Sequence, residues 1–192
     1  MSPSLVRLGG IAALVAAPLG ILGDLYHFVM DDRSRVLGDA FFKAHGLLLM
    51  AAFLLLIIAL PAFLFYRRDI LSPLGRIALP LGLIGTTLVL GDIWAETVVV
   101  PGIVASQPQL VEEDISGYHL AAVIAAFAIF ALGWLLVGIT SFRARNFPRP
   151  ALIVLCIGAV VAFLPLPGVY ILLLVGAAWM GWSIVQSKMV QS

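Results

Sequence analysis

The sequence predicts an all-α fold, a polytopic bundle of transmembrane helices, and three observations carry that reading. Hydrophobic residues make up 62% of the 192 residues and charged residues only 11%. Soluble globular chains carry about 25% charged residues, so a water-facing surface could not be covered. Mean hydropathy is +1.14, and the apolar residues fall in tracts near the roughly 20 residues that a spanning helix needs. The whole chain, 1–192, reads as a single transmembrane domain.

Six spans are expected, at 5–29, 41–66, 77–100, 117–142, 151–164 and 168–185. In the first, Arg7 precedes an apolar run as in a signal peptide, but no small-x-small cleavage site follows, so it reads as a retained helix. The second ends at Arg67-Arg68, the third at Pro101, and the fourth at Arg143 and Arg145. The last apolar tract runs from Ala151 to Val185, and as one helix it would be about 52 Å long. That exceeds a hydrocarbon core of about 30 Å. Pro165, Pro167 and Gly168 interrupt it near the middle, which predicts two short helices joined by a tight turn.

Charge orients the spans. One side of the predicted topology holds Arg7, Arg67, Arg68, Arg76, Arg143, Arg145, Arg149 and Lys188, and the other only Arg33, Arg35 and Lys43. The acids Asp31, Asp32, Asp39, Glu112, Glu113 and Asp114 fall on the second side, with Asp69 on the first. The positive-inside rule then expects both termini in the cytoplasm and the chain in the cytoplasmic membrane, with the lipid bilayer as its first partner. The net charge of +1 argues against a nucleic-acid partner. The single Cys156 excludes an internal disulfide and any CxxC motif.

Two segments match. Leu22-Gly23-Asp24-Leu25-Tyr26 closes the first span and Leu90-Gly91-Asp92-Ile93-Trp94 lies near the end of the third. In the spans that follow, His45 precedes Ala51-Ala52-Phe53 and His119 precedes Ala125-Ala126-Phe127 at the same spacing. Spans 1–2 and 3–4 therefore read as two copies of one hairpin, a parallel internal repeat about an axis along the membrane normal.

All but three of the 21 Lys, Arg, Asp and Glu residues lie in loops or at helix ends. The exceptions are Asp24, Asp92 and Glu96, in the outer part of their spans, and His27, His45 and His119 belong to the same layer. An acid inside a membrane costs about 2.5–3.5 kcal/mol at mid-helix and less toward the rim. Three at one depth need partners. Asp24 and His27 are three apart and Asp92 and Glu96 four apart, so each pair shares a helix face.

The candidate metal ligands are Asp24, His27, His45, Asp92, Glu96 and His119, a donor set that suits zinc or iron. Alternatively His45, His119 and His27 supply imidazoles for a haem iron. The same groups suit proton or small-solute handling through an outer cavity. Against these stands interhelical hydrogen bonding that serves packing alone, the chain being an accessory subunit of a larger membrane complex or a homo-oligomer. An intramembrane hydrolase using metal-bound water is a further alternative. No HExxH, HxxxH or phosphate-binding Gly-rich loop is present.

Trp94, Tyr26, Tyr118 and Tyr170 suit an outer aromatic belt. Trp134 reads as a packing or inner-interface residue. The apolar hairpins, the LGD-plus-aromatic segments and the stretch Glu96 to Pro101 resemble those of small six-helix bacterial membrane proteins of unknown function. That resemblance implies an architecture, but neither an activity nor a site.

Overall fold

The computed structural model describes residues 1–26, 28, 40–67, 71–106, 117–164 and 168–187, without the side chains of residues 40, 104, 118 and 119. All regular structure among the described residues is helical. Helix α1 spans Pro3–Tyr26, α2 Ala40–Phe65 and α3 Pro73–Trp94. A π-helical turn over Ala95–Val99 joins α3 to a short helix α4, Val100–Ser106. Then come α5 at Gly117–Ala144, α6 at Arg149–Val161 and α7 at Ile171–Val185. Counting α3, the π-turn and α4 as one rod gives six helical rods.

Four of the rods are long and apolar enough to cross a membrane, and α6 and α7 are shorter apolar helices. The predicted break falls between Val161 and Ile171, where Gly168 adopts φ +78°, a backbone conformation that favours glycine. Pro165 and Pro167 lie outside the described residues.

The third span departs from expectation. It does not end at Pro101 but runs on through it to Ser106. A proline inside a helix lacks an N–H and its ring crowds the carbonyl four residues back. Here the turn just before it is π-helical, with the Val100 N–H bonded five residues back to the Ala95 carbonyl. The widened turn makes room for the ring and the helix continues.

The rods form a closed circuit in which α1 packs on α2, α2 on α3, α3 on α5, α5 on α6, α6 on α7 and α7 on α1. The centre is filled. Phe53, Phe63, Phe130, Trp134, Leu56, Leu60, Leu155 and Leu173 are fully buried there. Aromatic rings run through it in unbroken contact, from Tyr170 to Phe53 (5.0 Å between centroids), Phe130 (5.6 Å), Trp134 (6.3 Å) and Phe63 (6.3 Å). The column ends at Phe147 (6.0 Å) and Tyr66 (5.0 Å). Small residues set the helix separations. A Cβ on Gly133 of α5 would lie 2.6 Å from the Gly82 backbone of α3, so these two helices touch backbone to backbone.

A polar pair at the centre is closed on itself. The Trp134 indole N–H donates to Thr86 Oγ1 at 3.0 Å, and that hydroxyl donates to the Gly82 carbonyl at 2.6 Å. Thr86→Val would leave a buried indole N–H without an acceptor, and is expected to cost about 2 kcal/mol of stability. Thr86→Ser, which keeps the hydroxyl, is expected to stay close to the parent in denaturant unfolding.

Charge divides between the two ends. Asn146 Nδ2 donates to the Tyr66 carbonyl at 2.8 Å and the Tyr66 hydroxyl donates to the Ser183 carbonyl at 3.3 Å. The ends of α2, α5 and α7 therefore meet at one end of the bundle. That end carries Arg7, Arg67, Arg76, Arg143, Arg145 and Arg149, every described arginine. The other end carries Asp24, Asp92, Glu96 and Lys43.

Candidate functional site

The acid-bearing end is built on the close approach of α1 and α2. Gly23 has no side chain, and a Cβ there would lie 3.0 Å from Leu49 Cγ and 3.2 Å from the His45 carbonyl. The helix axes come together and His45, only 5% exposed, donates from Nδ1–H to the Gly23 carbonyl at 2.6 Å. Gly23 lies in the last turn of α1. His45 thus ties α2 to the last turn of α1.

Asp24 does the reverse job one residue on. Its side chain is 1% exposed, and Oδ2 accepts from the Tyr170 N–H at 2.9 Å. Tyr170 is the N-cap residue of α7, in the turn that opens it, where backbone N–H groups lack acceptors within the helix. A carboxylate at a helix N-terminus is favoured by the aligned peptide dipoles as well. In a bilayer no water is present to close such an end. Asp24 closes it from α1.

The two other acids stand differently. Asp92 on α3 is half-buried and Glu96, in the π-turn, is exposed. Both lie at the same end of the bundle as Asp24. The π-turn is anchored to α2 next to His45. Thr97 is buried and donates from Oγ1 to the Ile93 carbonyl at 2.6 Å, and its side chain sits where a Cβ on Gly46 would be. Position 46 therefore tolerates no side chain without displacing the turn.

Of the six predicted site residues, Asp24, His45, Asp92 and Glu96 share one end of the bundle. His27 lies outside the described residues, and His119 opens α5 with its side chain outside the description. Among the described residues no three His, Cys, Asp or Glu side chains are grouped so as to hold a metal ion. The described donors do not fit a metal centre by themselves, because Asp24 is engaged by a backbone amide and His45 Nδ1 by a carbonyl.

Tyr170 corrects a sequence expectation. It is buried in the core at 7% exposure, not set in an outer belt, and packs edge-on to Phe53 and Phe130. Trp94 is exposed. Gly23 and Gly91, matched in the two LGD segments, have different surroundings. Gly23 is packed against α2, whereas a Cβ on Gly91 would meet nothing within 4 Å. Sequence reasoning missed Gly46, Thr97 and the Tyr170 turn. Only the glycine directly after His45 was a visible signal.

Fold and site together define a class, an all-helical apolar bundle with membrane-length helices and a carboxylate-and-imidazole layer at one end. No protein-family model matches the sequence, no curated protein matches it, and no solved structure matches the fold.

Proposed function

We propose that this chain is a multi-pass integral membrane protein acting as a non-enzymatic accessory or structural subunit, its polar layer being interhelical hydrogen bonding. The observation that carries this reading is the engagement of Asp24, whose carboxylate accepts from the Tyr170 N–H at the opening of α7. A carboxylate used in this way holds α1 to α7 and is not offered to a ligand. His45, holding α2 to α1 through the Gly23 carbonyl, supports the same role. The lipid bilayer covers the exposed apolar faces, and other membrane subunits or a second copy are the partners.

The arginine-rich end faces the cytoplasm by the positive-inside rule, with both termini there, in the cytoplasmic membrane. Helices α1–α2 and α3–α5 are copies of one hairpin, on the strength of the matched LGD and His…AAF segments. The unlike packing of Gly23 and Gly91 is then divergence after duplication.

A second reading has one observation in its favour. Histidines that bind metals commonly donate the other ring N–H to a backbone carbonyl, and His45 Nδ1–H does so. Zinc, iron or a haem iron at Nε2 would need further donors from Asp92, Glu96, His27 or His119.

Elemental analysis and a visible spectrum of one detergent-purified sample separate the two. The structural role predicts transition metal far below one atom per chain and no Soret band. Stoichiometric metal, lost in a His45→Ala, His119→Ala double variant, would overturn it in favour of the second reading.

A further inference from the structure

The opposite, arginine-rich end holds a feature that the polar layer does not explain. A recess of about 300 Å³ there is lined by Ser72, Pro73, Leu74, Thr140 and Arg143. Three kinds of group converge on it.

The first is the N-terminus of α3, a helix of 22 residues. Ser72 caps it, accepting from the Gly75 N–H at 3.1 Å, and Pro73 in the first turn has no N–H to give. Leu74 therefore carries the first free-standing helix amide, and Leu74 lines the recess. The second is the Arg143 side chain, from the last turn of α5. The third is Thr140, one turn earlier and 6% exposed, whose Oγ1 has no hydrogen-bond partner among the described residues. A cation near a helix C-terminus is ordinary, but a buried hydroxyl without a partner is not. Such groups cost about 1–3 kcal/mol when left unsatisfied. A helix N-terminus, a guanidinium and a hydroxyl donor together are a donor set for an anion with several oxygens.

An apolar cavity of about 290 Å³ between α5 and α6 is lined by the same arginine with Ile139, Phe142, Ile153, Cys156 and Ile157. Further along the same two helices a second apolar cavity, about 330 Å³, is lined by Ala128, Leu132, Leu135, Val160 and Phe163. From Phe142 to Ala128 the α-helical rise covers about 21 Å. A charged recess that shares Arg143 with an apolar cavity, with a second apolar cavity further along the same face, matches a molecule with an anionic head and a hydrocarbon tail. A free phosphate would use only the recess.

We propose that Ser72, Thr140, Arg143 and the α3 N-terminus bind the phosphate of a membrane phospholipid, one acyl chain lying in the α5–α6 groove. The Arg143 guanidinium and the Thr140 hydroxyl donate to phosphate oxygens, and the chain covers Ile139, Ile153 and Ile157.

Native mass spectrometry of the full-length protein in a non-ionic detergent tests this, with dioleoyl phosphatidylglycerol, dioleoylglycerol and inorganic phosphate as separate probes. Phosphatidylglycerol is expected to be retained at one per chain, and dioleoylglycerol, which has the same chains without the phosphate, is not. Arg143→Gln is expected to weaken retention about tenfold, the loss of a charge-assisted contact, and Thr140→Val about fivefold. Arg143 is exposed and Thr140→Val is isosteric, so both variants should fold, which a thermal melt verifies. Ile157→Trp, at an exposed groove position, should lower phosphatidylglycerol retention. Equal retention of the two lipids, or retention unchanged in both recess variants, overturns the site. Stabilisation by inorganic phosphate that depends on Arg143, together with phosphatidylglycerol retention indifferent to Ile157→Trp, overturns the lipid as the source of the phosphate.

Discussion

Replacing Asp24 with alanine is expected to destabilise the protein by about 3 kcal/mol, the cost of orphaning a buried donor that faced a charged acceptor. Removing it leaves the Tyr170 N–H without its acceptor at the start of α7 and frees α1 from that turn. For a domain of 150–250 residues each kcal/mol moves the melting temperature about 2–4 °C, so a fall of roughly 6–12 °C is expected in detergent. Asp24→Asn keeps an oxygen acceptor of the same reach and should recover at least half of the loss. That recovery separates capping from metal ligation, for which a neutral amide is a poor substitute. If the alanine variant melts with the parent, Asp24 does not hold the bundle together.

The second large effect is expected at the α3–α5 crossing. Gly133→Val puts a branched side chain where its Cβ would lie 2.6 Å from the Gly82 Cα and N. Overpacking usually costs about 1–3 kcal/mol because a side chain can move aside. Here both surfaces are backbone, so the helices must separate, and a loss at the top of that range is expected. Separation would also strip Trp134 from Thr86, whose 3.0 Å hydrogen bond spans the same two helices. The readout is unfolding in a graded series of denaturing detergent, with tryptophan fluorescence reporting the Trp134 environment. An unchanged midpoint and spectrum would show that the close approach contributes nothing to stability.

The layer at the acid-bearing end shows where sequence reasoning reaches and where it stops. Asp24 and His45 stand out because an acid and an imidazole in apolar tracts are costly, and that cost requires partners. What the partners are is another matter. The amide that Asp24 accepts from belongs to Tyr170, 146 residues away along the chain, and no local pattern points to it. Tyr170 was misplaced for a related reason. An aromatic residue near a predicted membrane boundary suits an interfacial belt, but the turn into α7 folds back under α1 and buries the ring against Phe53. Pro101 ordinarily stops a helix, and only the π-turn ahead of it lets this one continue.

By itself, then, the sequence determined the all-helical class, the approximate helix positions, the break in the last apolar tract and the identity of the acids and imidazoles that stand in apolar tracts. These follow from transfer free energies and helix geometry, which act residue by residue and need no knowledge of neighbours. Tertiary structure decided what those residues do. Hydrogen-bond satisfaction in a medium without water is settled between helices, so whether a carboxylate holds a cap or a ligand depends on which backbone amides the fold brings to it.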